Sequence, residues 1–189
     1  MEFLRSGRPS VDLVWTVRFR NVWPTETLTD ADALDVWLRG TYPHVQFAGI
    51  DLKDLIAAAK ELREATYSLM MATICGDNGQ GSDRRVINAR ARGERFVHEL
   101  GPRGAMPPSA TEGEQFLAEL AVDAMDVLRS DPGRLRMCEG PLCSLPFLDE
   151  SRSGTRRWCT AQRCGNRVNT KMYRDRLRNS HPISLDASL

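Results

Sequence analysis

Two cysteine pairs with the same internal spacing, Cys138-x4-Cys143 and Cys159-x4-Cys164, stand fifteen residues apart near the C-terminal end of this 189-residue chain. Four thiols in two short-range pairs suit one tetrahedral cation, and Zn²⁺ takes thiolates at about 2.3 Å in closed structural sites that leave no position for water. The spacing predicts one structural zinc held by Cys138, Cys143, Cys159 and Cys164, a site that folds a small module. Buried thiols or two disulfides are the competing reading. Disulfides suit small secreted domains, whereas the rest of this chain carries only Cys75. Between the pairs, Leu145 to Trp158 predicts two short strands around a turn from Asp149 to Gly154.

The N-terminal residues lack a basic start, an apolar core and a small-residue cleavage site, so no signal peptide is expected. The longest uncharged run, Ala65 to Gly76, falls well short of the roughly 20 residues that span a bilayer. A soluble, cytoplasmic protein without membrane contact is expected. The chain has room for one proper core and a metal-held module too small to close a core alone. Three parts are predicted: residues 1–133, a zinc module over 134–180, and a tail over 181–189. Only the first is expected to fold without metal.

Charge is divided along the same line. Residues 1–133 carry 15 Lys and Arg against 20 Asp and Glu, a net −5, whereas residues 134–189 carry 11 against 5, a net +6. A zinc tetrathiolate, itself −2, brings the second figure to about +4. Basic charge gathered around the metal suggests a polyanionic partner.

The fold class expected is α+β, with a mainly helical N-terminal part, a small β component, and a zinc module made of a β-hairpin and a helix. Val11 to Val17 is β-branched and roughly alternating, which predicts a strand. Thr29 is expected to cap a helix through Leu38 with Gly40 as its stop, and Leu52, Leu55, Ile56, Ala59 and Leu62 set the period of a helix running to Ile74. A helix from Ser82 to Phe96, a short strand over Val97 to Leu100, and a helix opened by Thr111 and Glu114 complete this part. The last shows one broad apolar face through Phe116, Leu117, Leu120, Ala121, Ala124, Val127 and Leu128 and ends at Asp131-Pro132-Gly133.

Little else carries chemistry. The glycine-bearing turn from Gly76 to Gly81 precedes Arg84 and Arg85 and could cradle an anion, but it lacks the Lys-Ser/Thr of a phosphate loop, so a solvated interhelical turn is the better reading. His44, His98 and His181 are scattered, and Cys75 sits alone at the end of an apolar segment. No nucleophile–base pair stands out, and the chain is not read as an enzyme.

After the last cysteine, Arg167, Lys171, Arg174 and Arg178 recur at i, i+4, i+7 and i+11. On a helix these form one basic stripe, with Val168, Met172 and Leu177 off it. A helix starting at Cys164 would point its positive end at the thiolates. Arg156 and Arg157 add charge from the neighbouring loop, and the six together are the expected nucleic-acid contacts.

Cys138-Glu-Gly-Pro-Leu-Cys143, Phe147-Leu-Asp-Glu-Ser-Arg152, Arg156-Arg-Trp-Cys159 and Cys164-Gly-Asn-Arg167 resemble the CGNR zinc finger, named for the last tetrapeptide. Upstream, Asp12-Leu13, the segment from Leu28 to Leu38, Ile87-Asn88-Ala89 and the helix running to Arg136 resemble the ABATE domain that accompanies this finger in bacterial proteins grouped as putative stress-induced transcription regulators. The resemblance covers the whole chain. It implies zinc on the four cysteines and DNA binding by the finger. One departure is that the family usually has Asn-Thr where this chain has Trp15-Thr16.

The function expected is therefore that of a zinc-dependent DNA-binding transcription regulator, with an N-terminal domain that senses a small-molecule ligand or forms a homodimer. The alternative is a zinc-stabilised protein–protein interaction module that does not bind DNA.

Overall fold

The computed structural model describes residues 3–43, 45, 52–96, 99–101, 104–106, 113–170 and 173–174. His44, His98, His181, Lys171, Arg178, Thr111 and the tail lie outside these. Among the described residues are five α-helices ahead of the cysteine pairs, a further helical stretch over 166–170, and three two-stranded antiparallel ladders, matching the α+β class. The helices are α1 (Pro9–Val14), α2 (Ala31–Thr41), α3 (Leu52–Cys75), α4 (Gly81–Ala91) and α5 (Gly113–Leu128). The ladders pair β1 (Val17–Arg18) with β2 (Thr25–Glu26), β3 (Glu99–Gly101) with β4 (Gly104–Met106), and β5 (Leu135–Met137) with β6 (Pro146–Leu148).

The strand expected over Val11 to Val17 is instead helix α1, with only Val17 in a ladder. Pro9 opens the helix, where its missing N–H is no loss. Asp123 of α5 caps it from outside, its Oδ2 accepting from the Ser10 amide at 2.9 Å and the Ser10 hydroxyl at 2.5 Å. Both faces of α1 are buried, which is why its sequence shows no helical amphipathicity.

Elsewhere the differences are at ends. Asp30, not Thr29, caps α2, its Oδ1 accepting from the Ala33 amide at 2.9 Å. Gly40 does not stop α2; it lies under Arg5, whose guanidinium a Cβ there would strike. Helix α4 ends at Ala91 rather than Phe96, because Glu119 of α5 accepts the Phe96 amide at 3.0 Å and pairs with Arg95 at 2.7 Å. The Gly76–Gly81 turn is held from within: Arg84 donates to the carbonyls of Asn78 and Gly79, and so reads as an interhelical turn.

Two apolar clusters form. One packs α2, α3, α4 and α5 around Leu34, Trp37, Leu38, Leu62, Phe116 and Leu120. The other joins Val11, Val14, Trp15, Met70 and Val127 to Leu135, Cys138, Leu145, Phe147, Cys159 and Cys164. Helix α1 belongs to both, since Leu13 enters the first cluster while its neighbours enter the second. Packing thus crosses the sequence boundary at residue 133. The first cluster lies wholly within residues 1–133, while Val11, Val14 and Trp15 of the same part are buried against the cysteine-bearing segment.

Polar bonds follow the same route. The Trp15 indole, 1% exposed, donates to the Pro146 carbonyl at 2.7 Å. The Arg20 amide donates to Ser144 Oγ at 2.7 Å, and Arg8 bridges Asp123 at 2.8 Å and Glu150 at 3.8 Å. Arg20 also pairs with Glu64, which pairs with buried Arg63, and Arg63 reaches Glu26 at 2.8 Å and Thr16 Oγ1 at 2.9 Å. This chain of ions ties the β1–β2 hairpin to α3.

Replacing Trp15 by Phe removes the indole donor and leaves the Pro146 carbonyl buried without it, at a cost of about 1–3 kcal/mol. The urea midpoint of the zinc-loaded chain should fall with its slope unchanged. An unaltered midpoint would show that this bond does not join the two parts.

Candidate metal centre

The residues between Cys138 and Cys143 are the connection of the β5–β6 hairpin, so the first cysteine pair sits at a hairpin tip. The ladder continues beyond the strands: the Cys138 amide donates to the Leu145 carbonyl at 3.0 Å, and the Asp149 amide to the Arg134 carbonyl at 2.7 Å. The hairpin expected around Asp149 to Gly154 is thus displaced. Strand β6 pairs upstream with β5, and the Arg156 amide goes to Asp149 Oδ2 at 2.8 Å instead of to a ladder. Asp149 Oδ1 also accepts from the Ser151 amide and hydroxyl. Burial alone would raise the Asp149 pKa, but the Ser151 and Arg156 donors outweigh it and hold the carboxyl below its ordinary range.

The second pair is presented by a wide turn. Residues Ala161–Gly165 form a single π-helical turn behind Thr160, and helix continues over 166–170. The helix therefore starts three residues before Cys164. The Gly165 amide reaches the Thr160 carbonyl at 3.3 Å, and Thr160 Oγ1 accepts from the Arg163 amide at 3.4 Å. Gly165 lies against Trp158: a Cβ there would come within 3.2 Å of the indole.

The four thiol sulfurs lie within 4.8 Å of one another. Cys143 Sγ is 3.9 Å from Cys159 Sγ, which is 3.7 Å from Cys164 Sγ. With metal–sulfur bonds of about 2.3 Å, the edge of a regular tetrahedron is about 3.8 Å, so these separations fit a zinc tetrathiolate. A disulfide needs sulfurs about 2.05 Å apart, and all five cysteines are free.

Backbone donors point inward. Cys138 Sγ accepts from the Gly140 amide at 3.4 Å and the Cys159 amide at 3.2 Å. Gly140 has no room for a side chain, since a Cβ would stand 2.8 Å from Cys164 Sγ and 2.9 Å from its Cβ. Leu142 takes φ +63° to complete the knuckle.

The thiols themselves cannot all ionise unaided. Donation from the Cys143 and Cys159 thiols, with the two amides adding, pulls Cys138 down to about 2. Its hydrogen bond with Cys138 pushes Cys143 up to about 12, the same neighbour raises Cys159, and burial raises Cys164. One thiolate therefore suppresses the other three. A divalent cation held between Cys138, Cys143, Cys159 and Cys164 would reverse this and favour all four thiolates.

The expected nucleic-acid residues are placed unequally. Arg167 and Arg174 are exposed on the segment after Cys164. Arg156 is half-buried, with its guanidinium donating to the Cys159 carbonyl at 2.7 Å and lying 5.1 Å from the Phe147 ring centre. Arg157 is exposed but pairs with Glu139 at 2.6 Å. Sequence reasoning missed two roles that are visible here. Gly140 admits the cluster, and Arg134 braces the Asp149 turn by donating to the Asp149 and Ser151 carbonyls. Glycine between two close cysteines was the available signal for the first. Nothing local marks the second.

Among the described residues no helix is long and apolar enough to cross a membrane. A search of curated proteins found no match. Residues 134–177 match the CGNR zinc finger, and residues 7–131 match ABATE, described as "Putative stress-induced transcription regulator". The chain belongs to the ABATE family and carries a CGNR zinc finger behind that domain.

Proposed function

We propose that this protein is a cytoplasmic transcription regulator whose finger contacts DNA and whose N-terminal domain senses a small molecule or mediates self-association. Cys138, Cys143, Cys159 and Cys164 hold one structural Zn²⁺ per chain, and Arg167, Lys171, Arg174 and Arg178 meet DNA phosphates. The observation that carries this reading is the continuity between metal cluster and basic segment. The turn that delivers Cys164 runs straight into helix 166–170, so exposed Arg167 is fixed to the metal centre. The basic balance of residues 134–189, +6 in side-chain charge and about +4 with a zinc tetrathiolate, supplies the attraction. Arg156 and Arg157 serve mainly inside the finger, through Cys159 and Glu139, and add less to DNA than the other four.

Metal analysis of protein purified without chelator should give one zinc per chain. Gly140→Ala should lose most of it, because the added methyl would overlap the Cys164 sulfur, whereas Gly133→Ala, with ordinary contacts only, should keep it. A Gly140→Ala protein with full zinc would contradict the four-cysteine site.

Binding to duplex DNA should weaken with salt. Each neutralised phosphate contributes about −0.9 to the slope of log affinity against log salt, so the four stripe residues predict a slope of about −3 to −4. Arg174→Ala should make it shallower by about one unit and weaken all sequences alike, measured by fluorescence anisotropy. Unchanged binding in a Lys171, Arg174, Arg178 triple-alanine variant would remove DNA as partner. It would promote a protein partner, for which exposed Trp23, Val22 and Leu142 offer contact area.

A further inference from the structure

A narrow cleft of about 30 Å³ reaches the cysteine cluster beside the β1–β2 hairpin. Cys143, Cys159 and Cys164 line it, with Leu4, Phe19 and Leu145 as apolar wall. One water takes about 10–15 Å³ of such space, so the cleft admits about two water-sized oxygens and no organic ligand. Of the four clustered cysteines, Cys138, Cys159 and Cys164 are buried and Cys143 is half-buried. The Cys143 sulfur stands 3.9 Å from that of Cys159. Cys138 is placed differently, its sulfur accepting from the Gly140 amide at 3.4 Å and the Cys159 amide at 3.2 Å.

We propose that hydrogen peroxide enters this cleft and oxidises Cys143 and Cys159 to a disulfide, dismantling the metal centre. The inference rests on the zinc reading above, because metal ligation keeps the sulfurs as thiolates, the form that attacks peroxide. The Cys143 thiolate attacks one peroxide oxygen, the O–O bond breaks, hydroxide leaves, and the sulfur carries OH as a sulfenic acid. The Cys159 thiolate then attacks Cys143 Sγ, the S–S bond forms, and the S–O bond breaks with loss of a second hydroxide. Two protons from solvent turn the hydroxides into water, so each thiolate gives up one electron and peroxide gains both. Arg163 and Arg167 also line the cleft and add positive charge where hydroxide departs. The two sulfurs close by about 1.9 Å to reach the bond length of about 2.05 Å. Cys138 is the poorer partner, since two amide donors already draw on its lone pairs. The disulfide consumes two of the four ligands, and Cys138 and Cys164 alone cannot close a tetrahedral site.

The test uses the zinc-loaded full chain carrying Cys75→Ser, in which the four clustered cysteines are the only ones left. Zinc is measured first in the untreated protein. Its release is then followed with a chromogenic chelator under hydrogen peroxide and under cumene hydroperoxide, each rate divided by that of the same oxidant with glutathione. The divided rate should be at least about tenfold higher for hydrogen peroxide, because the cleft excludes the aryl group. Peptide mapping of partly reacted protein should find Cys143–Cys159 as the main disulfide, and dithiothreitol with added zinc should restore the metal. Equal divided rates, a different main pairing, or oxidation that dithiothreitol does not reverse would overturn the proposal. Zinc present at the start and retained under excess peroxide sinks the oxidation alone, whereas untreated protein without zinc removes the metal reading and this inference with it.

Discussion

Four sulfur atoms held within 4.8 Å of one another are mutually incompatible as anions, and the chain gathers them anyway. Without a cation, one thiolate suppresses the others, as the downward shift of Cys138 and the upward shift of its three neighbours express. A zinc ion held by the four sulfurs would resolve that conflict and join a hairpin tip to a π-helical turn, two elements too short to persist separately. The knuckle is built for close approach. Gly140 admits the Cys164 side chain, Gly165 admits Trp158, and Asp149 gathers the loop between the pairs with its buried carboxylate.

The cluster does not stand apart from the rest of the molecule. Cys138, Cys159 and Cys164 are buried in the same apolar group as Val11, Val14, Trp15, Met70 and Val127. Helix α1 is the wedge between this group and the helical core. Trp15 gives the wedge a large apolar body and a donor to Pro146. A displacement of α1 must therefore be felt at the knuckle, because close-packed interiors transmit strain rather than absorb it.

What could be read from the sequence follows from the range of the forces involved. The cysteine pairs declare themselves because ligand spacing is local. Helices α3 and α5 do so because each buries one face and shows its period in Leu55, Ala59, Leu62 and in Phe116, Leu120, Ala124. Helix α1 escapes because both faces are buried and its cap comes from Asp123, far along the chain. Pro9 was the one local hint. The pairing of β6 with β5 is likewise hidden, since the Arg156 amide that could have extended a later hairpin is taken by a carboxylate whose burial only the fold reveals. Arg156 and Arg157 look like free cations in the sequence because Cys159, Phe147 and Glu139 meet them only after folding.

The central claim is that the metal centre is packed onto the N-terminal domain through α1, the helix that enters both clusters. Native-state hydrogen exchange on the amides of α1, compared with zinc bound and after chelation, tests it most directly. The account predicts that the Asp12 amide, bonded to the Arg8 carbonyl, and the Trp15 amide, bonded to the Val11 carbonyl, lose protection together with the β5–β6 hairpin, while α2 keeps its own. Undiminished protection of α1 alongside a fully exchanged finger would contradict it, and would show the finger to be an appendage that folds by itself.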